Sequence, residues 1–126
     1  MSIYKTKWFA RWSRKNGLND SSICAAVSEM MGGLYDANLG GGLYKKRIAK
    51  QGQGKSGGFR TLLASNFGDL WFFMYGFEKN QRSNIDKDEE AALKLLAQQF
   101  LAFTQTQINQ ATTAGELIKV NCDENP

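Results

Sequence analysis

Eight consecutive residues, Leu70-Trp71-Phe72-Phe73-Met74-Tyr75-Gly76-Phe77, carry no charge and include five aromatic side chains. The run is far too short to cross a bilayer as a helix, and it is bounded by the turn-forming stretch Ser65-Asn66-Phe67-Gly68-Asp69. Read as a strand, it sends alternate side chains to opposite sides, so both sides have to be covered. The chain must therefore fold around Leu70–Glu78 as a central strand, with helices on one face and further structure on the other.

Two more extended segments, Leu43–Ala49 and Gly58–Asn66, precede it, and the three form an antiparallel meander. Before them, Lys7 to Asn16 places Trp8, Phe9 and Trp12 at i, i+1 and i+4 with Arg11, Arg14 and Lys15 among them. That pattern predicts a short amphipathic helix after a brief first strand, and a longer strand through Trp12 fits the same residues. Next, Asn19-Asp20-Ser21-Ser22 offers helix caps ahead of Ile23, Val27, Met30, Met31 and Leu34, and Gly32-Gly33 ends the pattern. After the meander, Asp86 and Glu89 form a capping-box pattern before Leu93, Leu96, Ala97, Phe100 and Leu101. Thr104 to Ala114 and Glu116–Asn121 read as a further short helix and a last strand.

These elements predict an α+β fold: a small antiparallel sheet, three-stranded meander plus N-terminal and C-terminal strands, with two N-terminal helices and a C-terminal helix. At 126 residues it forms one domain, 1–126. The opening Met1-Ser2-Ile3-Tyr4-Lys5-Thr6-Lys7 lacks the apolar core of a signal peptide, so a cytoplasmic protein without a membrane partner is expected. In a reducing compartment Cys24 and Cys122, far apart and without metal-site spacing, are expected as free thiols.

No histidine occurs. Its absence excludes Ser-His-Asp and Cys-His chemistry, His-ligated zinc, and any nuclease using imidazole as acid or base. Gly52-Gln53-Gly54-Lys55-Ser56-Gly57-Gly58-Phe59-Arg60 looks like a phosphate-binding loop, yet Ala49 stands where the first glycine of a Walker A loop belongs, and a strand follows instead of a helix. No nucleotide cofactor is expected. The glycines serve a loose hairpin, and Gly58 lets the strand begin close to a neighbouring backbone. Charge is distributed unevenly: residues 1–60 carry eleven Lys/Arg against three Asp/Glu, while residues 61–126 carry five against nine. The basic half is the side that suits a polyanion.

The order of elements, together with Thr6, Phe9 and Trp12, the run Gly40-Gly41-Gly42-Leu43-Tyr44-Lys45-Lys46-Arg47, Gly57-Gly58-Phe59-Arg60, Gly76-Phe77-Glu78-Lys79-Asn80, Asp86 and Ala91-Ala92, resembles the RelE/HigB/ParE superfamily of bacterial type II toxins, most closely its HigB-like members. The resemblance covers residues 3–101 and leaves 102–126 as a C-terminal extension. It implies a toxin that cuts mRNA on the ribosome without a metal, held in check by a cognate helix-turn-helix antitoxin. It also implies Arg47, Arg60 and Lys79 as the catalytic group, converging from adjacent strands on one phosphate, with Lys45, Lys46, Lys50, Lys55 and Arg82 as surrounding RNA contacts. Arg60 is expected on the strand surface, contributing little to packing, and Tyr44 and Tyr75 are the candidates to replace the titratable groups that HigB-like members carry near the chain end, with packing in the sheet as the favoured alternative for each. Two other functions remain open: non-catalytic inhibition of DNA gyrase, as in ParE-like proteins, and plain nucleic-acid binding.

Overall fold

The computed structural model describes residues 1–50 and 57–122. In chain order the elements are β1 (Ser2–Thr6), α1 (Lys7–Lys15), α2 (Asp20–Met31), β2 (Ala37–Gly40), β3 (Leu43–Ile48), β4 (Phe59–Ser65), β5 (Leu70–Glu78), α3 (Lys87–Leu101), α4 (Gln105–Thr113) and β6 (Leu117–Val120). The six strands make one sheet in the order β2-β3-β4-β5-β1-β6. The α+β class and the meander are as the sequence predicts. The sheet is not wholly antiparallel, however, because β1 lies parallel to β5. After β1 the chain passes through two helices and re-enters at the far edge as β2, so β1 is left to complete the sheet beside the last strand of the meander, with β6 antiparallel on its other side.

Helices cover both faces. Phe9, Ile23, Val27 and Met30 of α1 and α2 pack on Ile48, Phe59, Leu63, Trp71 and Phe73. On the opposite face, Ala97 and Ile108 of α3 and α4 close over Tyr4, Leu43, Leu62, Phe72 and Met74. Trp71, Phe72 and Phe73 are all fully buried, which is the two-sided covering that the apolar run demands. Residues 102–120, read as an extension, supply α4 and the strand that pairs with β1.

Local signals account for most boundaries. The Thr6 side chain accepts the Phe9 N–H and starts α1 as a helix, which resolves the choice between helix and longer strand. Asn19 does the same for α2 through Ser22. Both reciprocal bonds of the Asp86/Glu89 capping box are present, at 2.8 and 2.9 Å. Strand β2 is the element the sequence does not announce: four residues with one large apolar side chain, joined to β3 through Gly40, Gly41 and Gly42, all at positive φ.

Cys24 and Cys122 are joined in a disulfide, which corrects the expectation of free thiols. Their sequence separation of 98 residues conceals a tertiary neighbourhood, since β6 ends against the α2 side of the sheet and brings the two Cα atoms to 5.8 Å. No helix among the described residues is long and apolar enough to cross a membrane.

Candidate functional site

Register sets the site. Arg47 of β3 is the cross-strand partner of Arg60 of β4, and Arg60 is the partner of Phe77 of β5. Leu62 and Ala64, two and four residues beyond Arg60, point into the α3/α4 core, so strand alternation puts Arg60, Arg47 and Lys45 on that same face. Leu101 lies against Gly42 at the start of β3, whereas the two arginines stand towards its other end.

Asp36 joins them. Its N–H donates to the Lys45 carbonyl at 2.9 Å, extending the β2–β3 pairing by one residue. That bond carries its carboxylate to Arg47, whose Nε donates to Oδ2 at 3.0 Å, and the same oxygen lies 3.9 Å from Nε of Arg60. The sequence reading missed Asp36, because it sits in a short connection and acts only through a strand that carries no signal of its own.

Arg60 corrects a second expectation: it is 6% exposed, not a surface residue. Burial, reinforced by the neighbouring Arg47 charge, pulls its pKa below the ordinary arginine value, and Asp36 partly offsets both. A guanidinium held in this way still stays cationic in any ordinary medium. Two guanidiniums stand at adjacent register positions, and the anion they share is the Asp36 carboxylate.

Arg82 approaches from the segment after β5. Its guanidinium carbon lies 5.5 Å from the centroid of Phe77, Nη1 donates to the Tyr75 hydroxyl at 3.2 Å, and the fork closes on both oxygens of Glu89 at 3.0 and 2.6 Å. The hydrogen bond from Arg82 is the largest influence holding Glu89 below the usual carboxylate range, with the Asp86 N–H next. Glu89 therefore caps α3 and fixes Arg82 at the same time.

The remaining cations divide. Lys45 donates to Asn84, an uncharged partner, and stays on the arginine face. Lys79 is exposed and its backbone N–H bonds to Gly58 O at 3.1 Å, but its ammonium makes no hydrogen bond or ion pair among the described residues, so the structure does not join it to the arginines. Lys46 corrects the expectation of an RNA contact: it points to the opposite face, 1% exposed, and pairs with Glu29 of α2 at 2.7 Å. Lys50 pairs with Glu78 at 2.6 Å and lies over Phe59, a residue of the α1/α2 core. Lys55 falls outside the described residues. Of the two tyrosines, Tyr44 packs against Tyr35 and Phe67 on the α1/α2 side, whereas Tyr75 reaches the arginine face through Arg82. The face sets Lys45, Arg47, Arg60 and Arg82 against Asp36 and Glu89, so it is net positive. Among the described residues no cluster of acidic, histidine or cysteine side chains is placed to hold a metal.

Against this geometry, the family model for the RelE toxin of the RelE/RelB toxin–antitoxin system matches residues 1–120. The chain belongs to the RelE toxin family. It is thus a toxin of a toxin–antitoxin system, and the family implies a cognate antitoxin as its partner. No curated protein matches it in sequence. The RelE match runs through β6, so the whole six-stranded sheet lies within the family domain.

Proposed function

We propose that this RelE-family toxin is an endoribonuclease that cuts mRNA on the ribosome and so stops translation. The observation that carries the reading is the Arg47–Arg60 pair, two guanidiniums side by side on a net positive face with a single carboxylate between them. In the reaction a ribose 2′-oxygen attacks the adjacent phosphorus, the bond from phosphorus to the 5′-oxygen breaks, the 2′-hydroxyl proton leaves to a base, and the departing 5′-oxygen takes up a proton. Arg47 and Arg60 bind the phosphate and stabilise the charge that builds on its oxygens, which is a positional and electrostatic contribution. We assign the proton exchange to Tyr75, held on this face by Arg82, and to Lys79, which follows β5. Lys45 and Arg82 hold flanking phosphates. No step calls on imidazole, a metal or a nucleotide.

The test is induction of the toxin in bacteria, with growth followed beside primer extension on translated messages. Wild type should arrest growth and produce discrete cuts. Arg47→Ala, at an exposed position, should fold and lose both effects, and Arg60→Lys should lose most of them, since a point charge cannot replace a planar fork. Growth arrest without cuts, or a folded Arg47→Ala protein that still cleaves, would overturn the proposal. A supercoiling assay on the same variants separates DNA gyrase as the target.

A further inference from the structure

Helix α1 carries Trp8, Arg11, Trp12 and Lys15 at i, i+3, i+4 and i+7, one stripe of the helix. Of that stripe only Trp12 packs against the core, the buried residues of α1 being Phe9, Ala10 and Ser13. The four side chains line a shallow cavity of about 160 Å³. Trp8 is 43% exposed, and the other large apolar side chains exposed among the described residues, Met1, Met31, Leu34 and Leu95, offer no ring. Helix α1 contains Lys7, Arg11, Arg14 and Lys15 and no acidic residue, and neither Arg11 nor Lys15 is ion-paired among the described residues.

The stripe lies on the α1/α2 side of the sheet, and Trp8 at its end connects it to the arginine face. The Trp8 ring lies 4.6 Å from that of Tyr75, the Tyr75 hydroxyl accepts from Arg82, and the Arg82 guanidinium sits over Phe77, the cross-strand partner of Arg60. Trp8 also stacks on Trp12 at 6.1 Å with planes 14° apart, and Trp12 is backed by Phe59 and by Gly76, where a Cβ would run into the Trp12 ring. The indole of Trp8 is therefore held on a rigid support with part of its surface open. An exposed ring between unpaired cations, joined to the arginine pair by alternating aromatic and cationic groups, has the make-up of a single-strand track.

We propose that Trp8, Arg11 and Lys15 form a second contact for single-stranded RNA, Trp8 stacking on a nucleobase while Arg11 and Lys15 hold the adjoining phosphates, on the same strand that passes Arg60. This rests on RNA being the substrate of the arginine face. It assigns to α1 the role of holding a strand that the arginine pair alone would hold at one phosphate only.

Binding separates the two readings. Full-length toxin carrying Arg47→Ala, which leaves the RNA intact, is titrated with a short unstructured RNA oligonucleotide by fluorescence anisotropy at several salt concentrations, and the Trp8 and Arg11/Lys15 changes are then added to it. Trp8→Ala should weaken binding about tenfold, the worth of one stacked base, and Trp8→Phe should recover most of that loss. Arg11→Ala with Lys15→Ala, both exposed and outside the core, should reduce the slope of log affinity against log salt by about 1.4, two single-strand phosphate contacts. Duplex RNA, whose bases are already stacked, should show no Trp8 dependence. Affinity within twofold of the parent for Trp8→Ala, or an unchanged salt slope for the double variant, would overturn the α1 contact even if primer extension shows cleavage. A parent that binds no RNA overturns this inference, while primer extension on translated messages decides the substrate reading separately.

Discussion

The carboxylate of Asp36 binds Nε of Arg47 at 3.0 Å, and the oxygen that does so also lies 3.9 Å from Nε of the buried Arg60. Without that oxygen, two like charges on adjacent strands would face each other with one of them removed from water. Asp36→Asn should therefore lower folding stability by about 1–2 kcal/mol, between the values for an exposed pair and a buried one. Adding Arg47→Ala should restore part of the loss, because it removes the repulsion on Arg60. Denaturant unfolding of the two single variants and the double variant checks this; strictly additive losses would show that the three groups do not act together.

Glu89 gives the fold a pH-dependent element. Arg82 and the Asp86 N–H hold its pKa in the folded chain below the usual carboxylate range. A depressed acid stabilises the fold fully above its unfolded pKa, and that contribution disappears as pH falls through the folded value. Glu89→Gln should consequently lower the melting temperature near neutral pH, and the gap from wild type should close below about pH 4. Melting curves across that range are the measurement, and a gap that stays constant into acid would contradict the assignment.

Gly57 and Gly58 make a matched pair. A Cβ on Gly58 would lie 2.5 Å from the Ile48 carbonyl oxygen and 2.8 Å from the Lys50 nitrogen, both backbone atoms, while one on Gly57 would meet nothing within 4 Å. Gly58→Ala should cost about 2–3 kcal/mol, as an overpacked site whose neighbours cannot rotate away, and Gly57→Ala should stay within about 0.5 kcal/mol of wild type. Equal effects in chemical denaturation would show that the strand entry does not depend on this close approach.

The disulfide closes a loop of 98 residues between α2 and the end of β6. Replacing Cys24 and Cys122 by serine should lower stability by about 2–4 kcal/mol, chiefly through a less constrained unfolded chain. Unfolding of the oxidised protein and of the double-serine variant tests the size; a thiol titration that finds two free sulfhydryls in the native protein would contradict the bond itself.

By itself the sequence determined the elements whose causes are local. The apolar run Leu70–Phe77 required a central strand, the Asp86/Glu89 box placed the start of α3, and the Asn19 cap with Gly32-Gly33 bracketed α2, because hydrophobic periodicity and capping bonds act within a few residues. Arg47 and Arg60 stood out as strand cations, and the family resemblance gave them a reason to meet. Only the tertiary structure decided which cations share a face. Lys46 and Arg47 are adjacent in sequence, yet strand alternation buries one against Glu29 and leaves the other beside Asp36. Pairing decided the rest: β2 exists because β3 offers it an edge, Asp36 reaches the arginines because β2 exists, and Cys24 meets Cys122 because β6 returns beside β1. Contacts between residues far apart in the chain depend on register and on the faces that helices happen to cover, and a single sequence records neither.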